Sequence, residues 1–123
     1  MSKILVIDDE PPILSLMGKS CRMQGHRVTE ALNGREALAA LDSEKPDLMI
    51  VDLSLGDMSG LDVIRYGNEH HPETLAIVVT ASNSVEYAVQ AMRLGVFDYL
   101  TKPFELADLQ KTVELTRQPR RSR

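Results

Sequence analysis

The chain has no tryptophan, a single cysteine and few aromatic residues of any kind, 4% of 123 positions. Cys21 alone cannot close an internal disulfide, which fits a reducing, cytoplasmic setting. No apolar run approaches the roughly 18–20 residues that span a bilayer. The opening Met1-Ser2-Lys3-Ile4 lacks the apolar stretch of a signal peptide. The adjacent His70-His71 beside Glu69 reads as a solvent-facing helix end rather than a metal site. Neither a G-x-G-x-x-G turn nor a Walker loop is present, so the common nucleotide-binding motifs are excluded.

Acidic residues are missing from the last seven positions, where Arg117, Arg120, Arg121 and Arg123 collect. The formal charge of −4 therefore hides an asymmetry: residues 1–116 hold 10 basic against 18 acidic side chains, a net of −8. A body that acidic does not bind nucleic acid by neutralising phosphates. Residues 117–123 read as a basic tail or the start of a linker, and 1–116 as one domain.

What is present is order. Four short runs are continuously apolar: Ile4–Ile7, Leu48–Val51, Ala76–Val79, and Val96-Phe97 with Tyr99-Leu100. Runs of this kind suit strands buried on both faces of a parallel sheet. Arg27-Val28-Thr29-Glu30-Ala31 alternates more and suits an edge. Between them lie segments of helical period. The first opens at Glu10-Pro11-Pro12, shows Ile13, Leu16, Met17, Cys21 and Met23 on its apolar face, and stops at Gly25. Asn33 caps a second, with Ala37, Leu38 and Leu41 inward. A third runs from about Gly60 through Leu61 and Ile64, weakened at Gly67 by ~1 kcal/mol relative to alanine. A fourth follows Ser82-Asn83-Ser84, with Val85, Ala88, Val89 and Met92 on its apolar face. A fifth shows Leu106, Leu109 and Val113, with Pro119 beyond it. Strand and helix alternate five times with crossovers too long for hairpins, which calls for a doubly wound α/β fold.

Ligand sites in such sheets form beyond the carboxyl ends of the strands. Those ends are Asp8-Asp9, Asp52, Thr80 and Thr101-Lys102-Pro103. Crowded carboxylates repel and take up protons unless a cation joins them. Oxygen ligands without nearby His or Cys favour a hard cation, Mg²⁺ above all. A carboxylate with a free oxygen, already ionised at neutral pH, is a nucleophile toward phosphorus that needs no general base. Lys102 and the Thr80 hydroxyl are then placed to meet charge on phosphoryl oxygens. Tyr99 reads equally as a plain core aromatic, while Cys21 reads as inert core and the methionine-bearing helix faces as core rather than a binding groove.

These residues resemble the receiver domains of two-component response regulators, over essentially the whole span from Lys3 to about Thr116. The resemblance rests on Asp8-Asp9, Asp52, Gly60, Thr80-Ala81, the stretch Ala91–Leu100, and Lys102-Pro103-Phe104. It implies a flavodoxin-like five-stranded sheet in the order 2-1-3-4-5. It implies Asp52 as phospho-acceptor from a sensor histidine kinase. Asp9, Asp52 and the Ser54 backbone carbonyl would be direct Mg²⁺ ligands, with Asp8 acting through water. Lys102, behind a cis Lys102–Pro103 bond, would pair with the acceptor, and Thr80 and Tyr99 would form the switch pair. The responding surface would be the fourth helix, fifth strand and fifth helix, through which a homodimer would form. Catalysis would be limited to the domain's own phosphorylation and dephosphorylation. The strand-five region is most like receivers of transcriptional regulators, including those that activate the alternative σ54 polymerase, so an effector domain would lie outside this chain. The pattern departs from the family at Gly56, where proline is usual, and a glycine there leaves the loop less restricted. Ser54 and Ser82 stand at the positions that tune dephosphorylation.

Two other functions compete. A dehalogenase-like phosphatase also uses an aspartate nucleophile and Mg²⁺, but such enzymes carry a second aspartate where Ser54 stands. They also use a cap domain, for which the chain has no sequence. A flavodoxin-like nucleotide carrier needs a phosphate cradle after the first strand, where Asp8-Asp9-Glu10-Pro11-Pro12 would instead repel phosphate.

Overall fold

A computed structural model describes residues 2–118, so Arg120, Arg121, Arg123 and Pro119 lie outside the described residues. The elements alternate as expected: β1 Lys3–Ile7, α1 Pro11–Met23, β2 Arg27–Ala31, α2 Gly34–Glu44, β3 Leu48–Val51, α3 Gly60–His70, β4 Leu75–Thr80, α4 Val85–Arg93, β5 Asp98–Thr101 and α5 Leu106–Thr116. The five strands form one parallel sheet in the order β2-β1-β3-β4-β5. The alternating segment β2 is thus the edge that its pattern predicted.

Pleating sends successive side chains to opposite faces. Leu5, Ile7, Met49, Val51 and Val78 meet Ala37 and Leu41 of α2, Leu61 and Ile64 of α3, and Ala91 of α4. Ile4, Val6, Leu48, Ile50, Ile77 and Val79 meet Leu14, Met17 and Cys21 of α1 and Leu109 and Val113 of α5. Both faces are therefore covered, which is why these strands read as unbroken apolar runs. A Cβ at Gly67 would meet only the Met49 Cε, 2.6 Å away, the mobile end of a flexible side chain that can shift aside.

Three sequence readings are corrected. On α1 the buried face is Leu14, Met17, Gly18, Ser20 and Cys21, whereas Leu16 and Met23 are exposed. On α4 only Ala91 is buried; Val85 is 75% and Met92 59% exposed. The stripe there is real, but nothing among the described residues covers it. The fifth strand begins at Asp98, later than expected, although Phe97 N–H still donates to the Ala76 carbonyl at 2.7 Å.

Helix ends follow from local chemistry. Asn33 accepts from Glu36 N–H at 2.8 Å, and Glu36 reaches back to Leu32 N–H at 2.9 Å. Ser59 caps α3 through Leu61 N–H, and Ser84 caps α4 through Tyr87 N–H. Among the described residues no helix is long and apolar enough to cross a membrane.

Candidate functional site

Each strand end is carried one bond further into the loop beyond it. Asp8 N–H donates to Ala31 O at 3.1 Å, Asp52 N–H to Ile7 O at 3.0 Å, and Lys102 N–H to Thr80 O at 2.8 Å. These continuations of the ladder place Asp8, Asp52 and Lys102 at one end of the sheet. The Lys102 ammonium then bridges them, 2.7 Å from Asp8 Oδ2 and 2.8 Å from Asp52 Oδ2. The Lys102–Pro103 bond is cis.

Asp8 is fully buried and Asp52 nearly so. Burial pushes the Asp8 carboxyl above the usual carboxylate range, against the pull of the Lys102 hydrogen bond, with the nearby Asp52 charge adding to the rise. For Lys102 burial disfavours the ammonium, but hydrogen bonds to Asp52, Asp8 and Glu10 outweigh it and hold the amine above its ordinary value. Lys102 is therefore a fixed cation at neutral pH, and its position marks where negative charge is concentrated.

Glu10 belongs to this cluster although the sequence reading passed over it. Its Oε2 lies 3.1 Å from Lys102 Nζ, and its backbone N–H donates to Asp8 Oδ1 at 2.9 Å. The one signal for it was adjacency to Asp8-Asp9. Oxygens of Asp8, Asp9, Glu10 and Asp52 all lie within 4.8 Å of one another. That donor set is carboxylate oxygen only and fits a hard divalent cation.

The loop after β3 folds tightly over Asp52. Ser54 N–H donates to Asp52 Oδ1 at 3.1 Å, Ser54 pairs with Ser59 across the loop, and Gly60 N–H donates to Leu53 O at 2.8 Å. A Cβ at Gly60 would run into the Asp52 carbonyl and stand 2.8 Å from Leu53 Cα, so only glycine fits. Gly56 adopts φ +85°, a conformation closed to proline.

Thr80 ends β4 fully buried, its hydroxyl accepting from Ser82 N–H at 3.3 Å. Tyr99 pairs with Val78 on the neighbouring strand, and Thr101 with Thr80. The Tyr99 hydroxyl is shielded from solvent without a hydrogen-bond partner among the described residues. Burial, and then the Asp52 charge, raise its pKa. Tyr99 and Thr101 line a groove of about 660 Å³ with Val85, Val89 and Met92 of α4.

Two side features separate from this site. His71 does not face solvent as expected; its Nε2 lies 2.8 Å from Asp42 Oδ1, and Tyr66 donates to the same carboxylate. Cys21 is buried core, its thiol pushed up to about 11 by burial.

A family model described as the response regulator receiver domain matches residues 4–114. The response regulator protein PilR of Pseudomonas aeruginosa is 39% identical over 111 residues, 90% of this chain and 25% of that protein. The regulatory protein AtoC of Escherichia coli is 34% identical over 114 residues, 93% of this chain and 25% of that protein. The probable transcriptional regulatory protein TcrX of Mycobacterium tuberculosis is 35% identical over 106 residues, 86% of this chain and 45% of that protein. The chain thus spans a quarter to under half the length of these relatives. Among solved structures, a CheY-like receiver domain protein from Methanospirillum hungatei superposes with a TM-score of 0.90 at 28% identity, over 94% of this chain and 92% of that one.

Proposed function

Since the chain belongs to the response regulator receiver domain family, we propose that it is a signalling switch phosphorylated on Asp52 by the phosphohistidine of a sensor histidine kinase. The observation that carries this reading is the Lys102 ammonium held between Asp8 and Asp52, 2.7 and 2.8 Å away. An Asp52 carboxylate oxygen forms the new bond to phosphorus as the phosphorus–nitrogen bond breaks. The imidazole leaves with that electron pair. Lys102 and the Thr80 hydroxyl receive the phosphoryl oxygens, and Ser54 N–H keeps Asp52 Oδ1 oriented. Asp9, Asp52 and the Ser54 carbonyl would hold Mg²⁺ directly, with Asp8 acting through water. Bound there, the ion would supply the charge that draws phosphoryl oxygens toward a carboxylate cluster.

Output follows by population shift: the phosphoryl group adds roughly −1.5 to −2 charge and favours the state that contacts it best. The responding surface is α4, β5 and α5, where Tyr99 lies beside the exposed apolar side chains of α4. A second copy of the chain is its occupant in the phosphorylated state. Control of transcription passes to an effector domain of the kind the longer relatives carry, and residues 117–123 begin the linker to it. The chain works in the cytoplasm and catalyses nothing beyond its own phosphorylation and dephosphorylation.

Incubation with acetyl phosphate and Mg²⁺, followed by intact-mass measurement, tests the reading. One added phosphoryl group, absent from Asp52→Asn, is the expected result. No adduct on the wild-type chain, or an undiminished adduct on Asp52→Asn, refutes it.

A further inference from the structure

We propose that Asp57 is a positioning residue for the phospho-acceptor loop, fixing the segment that carries Asp52 and the Ser54 carbonyl to the first turn of α2. The role rests on the reading of Asp52 given above.

The opening turn of any helix leaves backbone N–H groups without intrahelical partners. In α2 they are divided between two sources. Asn33, the local cap, takes Glu36 N–H at 2.8 Å. Asp57 arrives from the β3–α3 loop and takes the other two, Gly34 N–H at 2.9 Å on Oδ1 and Arg35 N–H at 3.0 Å on Oδ2. Both carboxylate oxygens are used, and the negative charge sits at the positive end of the helix dipole. These two bonds hold the Asp57 carboxyl below the usual range.

Packing repeats the attachment. Gly34 is buried under Met58, and a Cβ at position 34 would collide with the Met58 side chain. Two consecutive loop residues thus grip one helix turn, one by hydrogen bonds and one by close contact. Gly56, just before them, has open space around its Cα and the most permissive backbone in the loop. A loop hinged on that glycine would sample many placements of Ser54 and Asp52. The grip on α2 removes that freedom immediately after the hinge. The consequence concerns binding: a loop already in place does not have to be ordered when a cation arrives between Asp9, Asp52 and Ser54.

Asn33→Ala is the internal control. It strips a cap from the same helix turn without touching the loop, so it weakens α2 and leaves the grip intact. The experiment compares wild type, Asp57→Ala, Asp57→Asn and Asn33→Ala by Mg²⁺ titration followed by NMR, by rate of adduct formation with acetyl phosphate, and by thermal melting. Asp57→Ala is expected to bind Mg²⁺ about fivefold more weakly, the size of one lost helix cap expressed as a binding ratio. Its adduct rate should fall at low Mg²⁺ and recover at saturation. Asp57→Asn, which keeps one acceptor oxygen, should fall between the two. Asn33→Ala should melt earlier while its Mg²⁺ affinity stays within about twofold of wild type.

Unchanged Mg²⁺ affinity in Asp57→Ala overturns the proposal, as does an equal loss in Asn33→Ala, which would make the effect one of helix stability. A wild-type chain that neither binds Mg²⁺ nor takes an adduct is a different outcome. It refutes the reading of Asp52, and the positioning role falls with it.

Discussion

Replacing Lys102 by methionine keeps the length of the side chain and removes its charge. In the wild type the ammonium, 11% exposed, neutralises two carboxylates that are 0% and 5% exposed as side chains. Glu10, at 59%, is solvated enough to matter little. Removing one partner from a buried ion pair typically costs about 3–5 kcal/mol. A second route to the magnitude gives the same range. The variant can relieve repulsion by protonating one carboxylate, and at pH 7 a proton on a group of ordinary pKa near 3.9 costs about 4 kcal/mol. The two agree, so a loss of about 3–4 kcal/mol at pH 7 is expected, a large share of a small domain's stability. The sign with pH follows. The folded variant would bind a proton that the unfolded chain releases, so its deficit shrinks by up to about 1.4 kcal/mol for each unit that pH falls between 7 and 4. Millimolar Mg²⁺ should restore the variant more than it stabilises the wild type, because it returns positive charge to the cluster. Urea melts at pH 5, 6 and 7.5, with and without Mg²⁺, read all three effects. A variant within about 1 kcal/mol of wild type at pH 7.5, with the same pH slope, would show that Lys102 does not hold this cluster together.

Gly60→Ala drives a Cβ into the backbone of Asp52 and Leu53, neither of which can rotate away. Urea melts should show a loss of about 1–3 kcal/mol, and a change under about 0.5 kcal/mol would mean the loop yields freely. Tyr99→Phe keeps the ring and deletes a hydroxyl that is buried without a partner among the described residues. Its stability should be unchanged or higher by up to about 1 kcal/mol, and a loss beyond about 1 kcal/mol would reveal a bond that the hydroxyl makes in solution.

Legibility in the sequence followed burial closely. Strands enclosed on both faces leave little choice of residue, so Ile4–Ile7, Leu48–Val51 and Ala76–Val79 were readable as apolar runs. Asp8, Asp52 and Thr80 were readable because they stand just past those runs, and Lys102 because it closely follows the run ending at Leu100. On α1 the apolar residues Ile13, Leu14, Leu16 and Met17 surround the helix, so period alone could not select a face. The face chosen by the fold includes Gly18 and Ser20, whose small size lets α1 approach its neighbours but adds nothing to a hydropathy pattern. Glu10 and Asp57 were missed for another reason. Each acts through a partner far along the chain, Glu10 through Lys102 and Asp57 through Gly34 and Arg35. Adjacency to Asp8-Asp9 was the one local sign for Glu10, and Asp57 had none.

The two sides of the acceptor are tied down unequally, which on the proposed reading would give the signal its direction. On the α2 side, the loop after Asp52 is held by the Asp57 bonds, the Met58 contact and the Ser54–Ser59 pairing. On the α4 side, a nine-residue helix buries only Ala91, is met by α3 through Arg65–Gln90 and Asn68–Leu94 O hydrogen bonds, and turns Val85 and Met92 to solvent. The adjoining Tyr99 hydroxyl has no partner among the described residues, and a buried polar group left so costs about 1–3 kcal/mol. Segments with few buried contacts are those that open at low free energy. On the proposed reading, a charge added at Asp52 would meet more resistance on the α2 side than on the α4 side. Reaching a 99:1 population from 1:99 requires about 5.5 kcal/mol of differential contact. On that reading, an unsatisfied hydroxyl and an exposed apolar face would bring the starting state nearer balance, leaving fewer new contacts for Thr80 and Lys102 to supply.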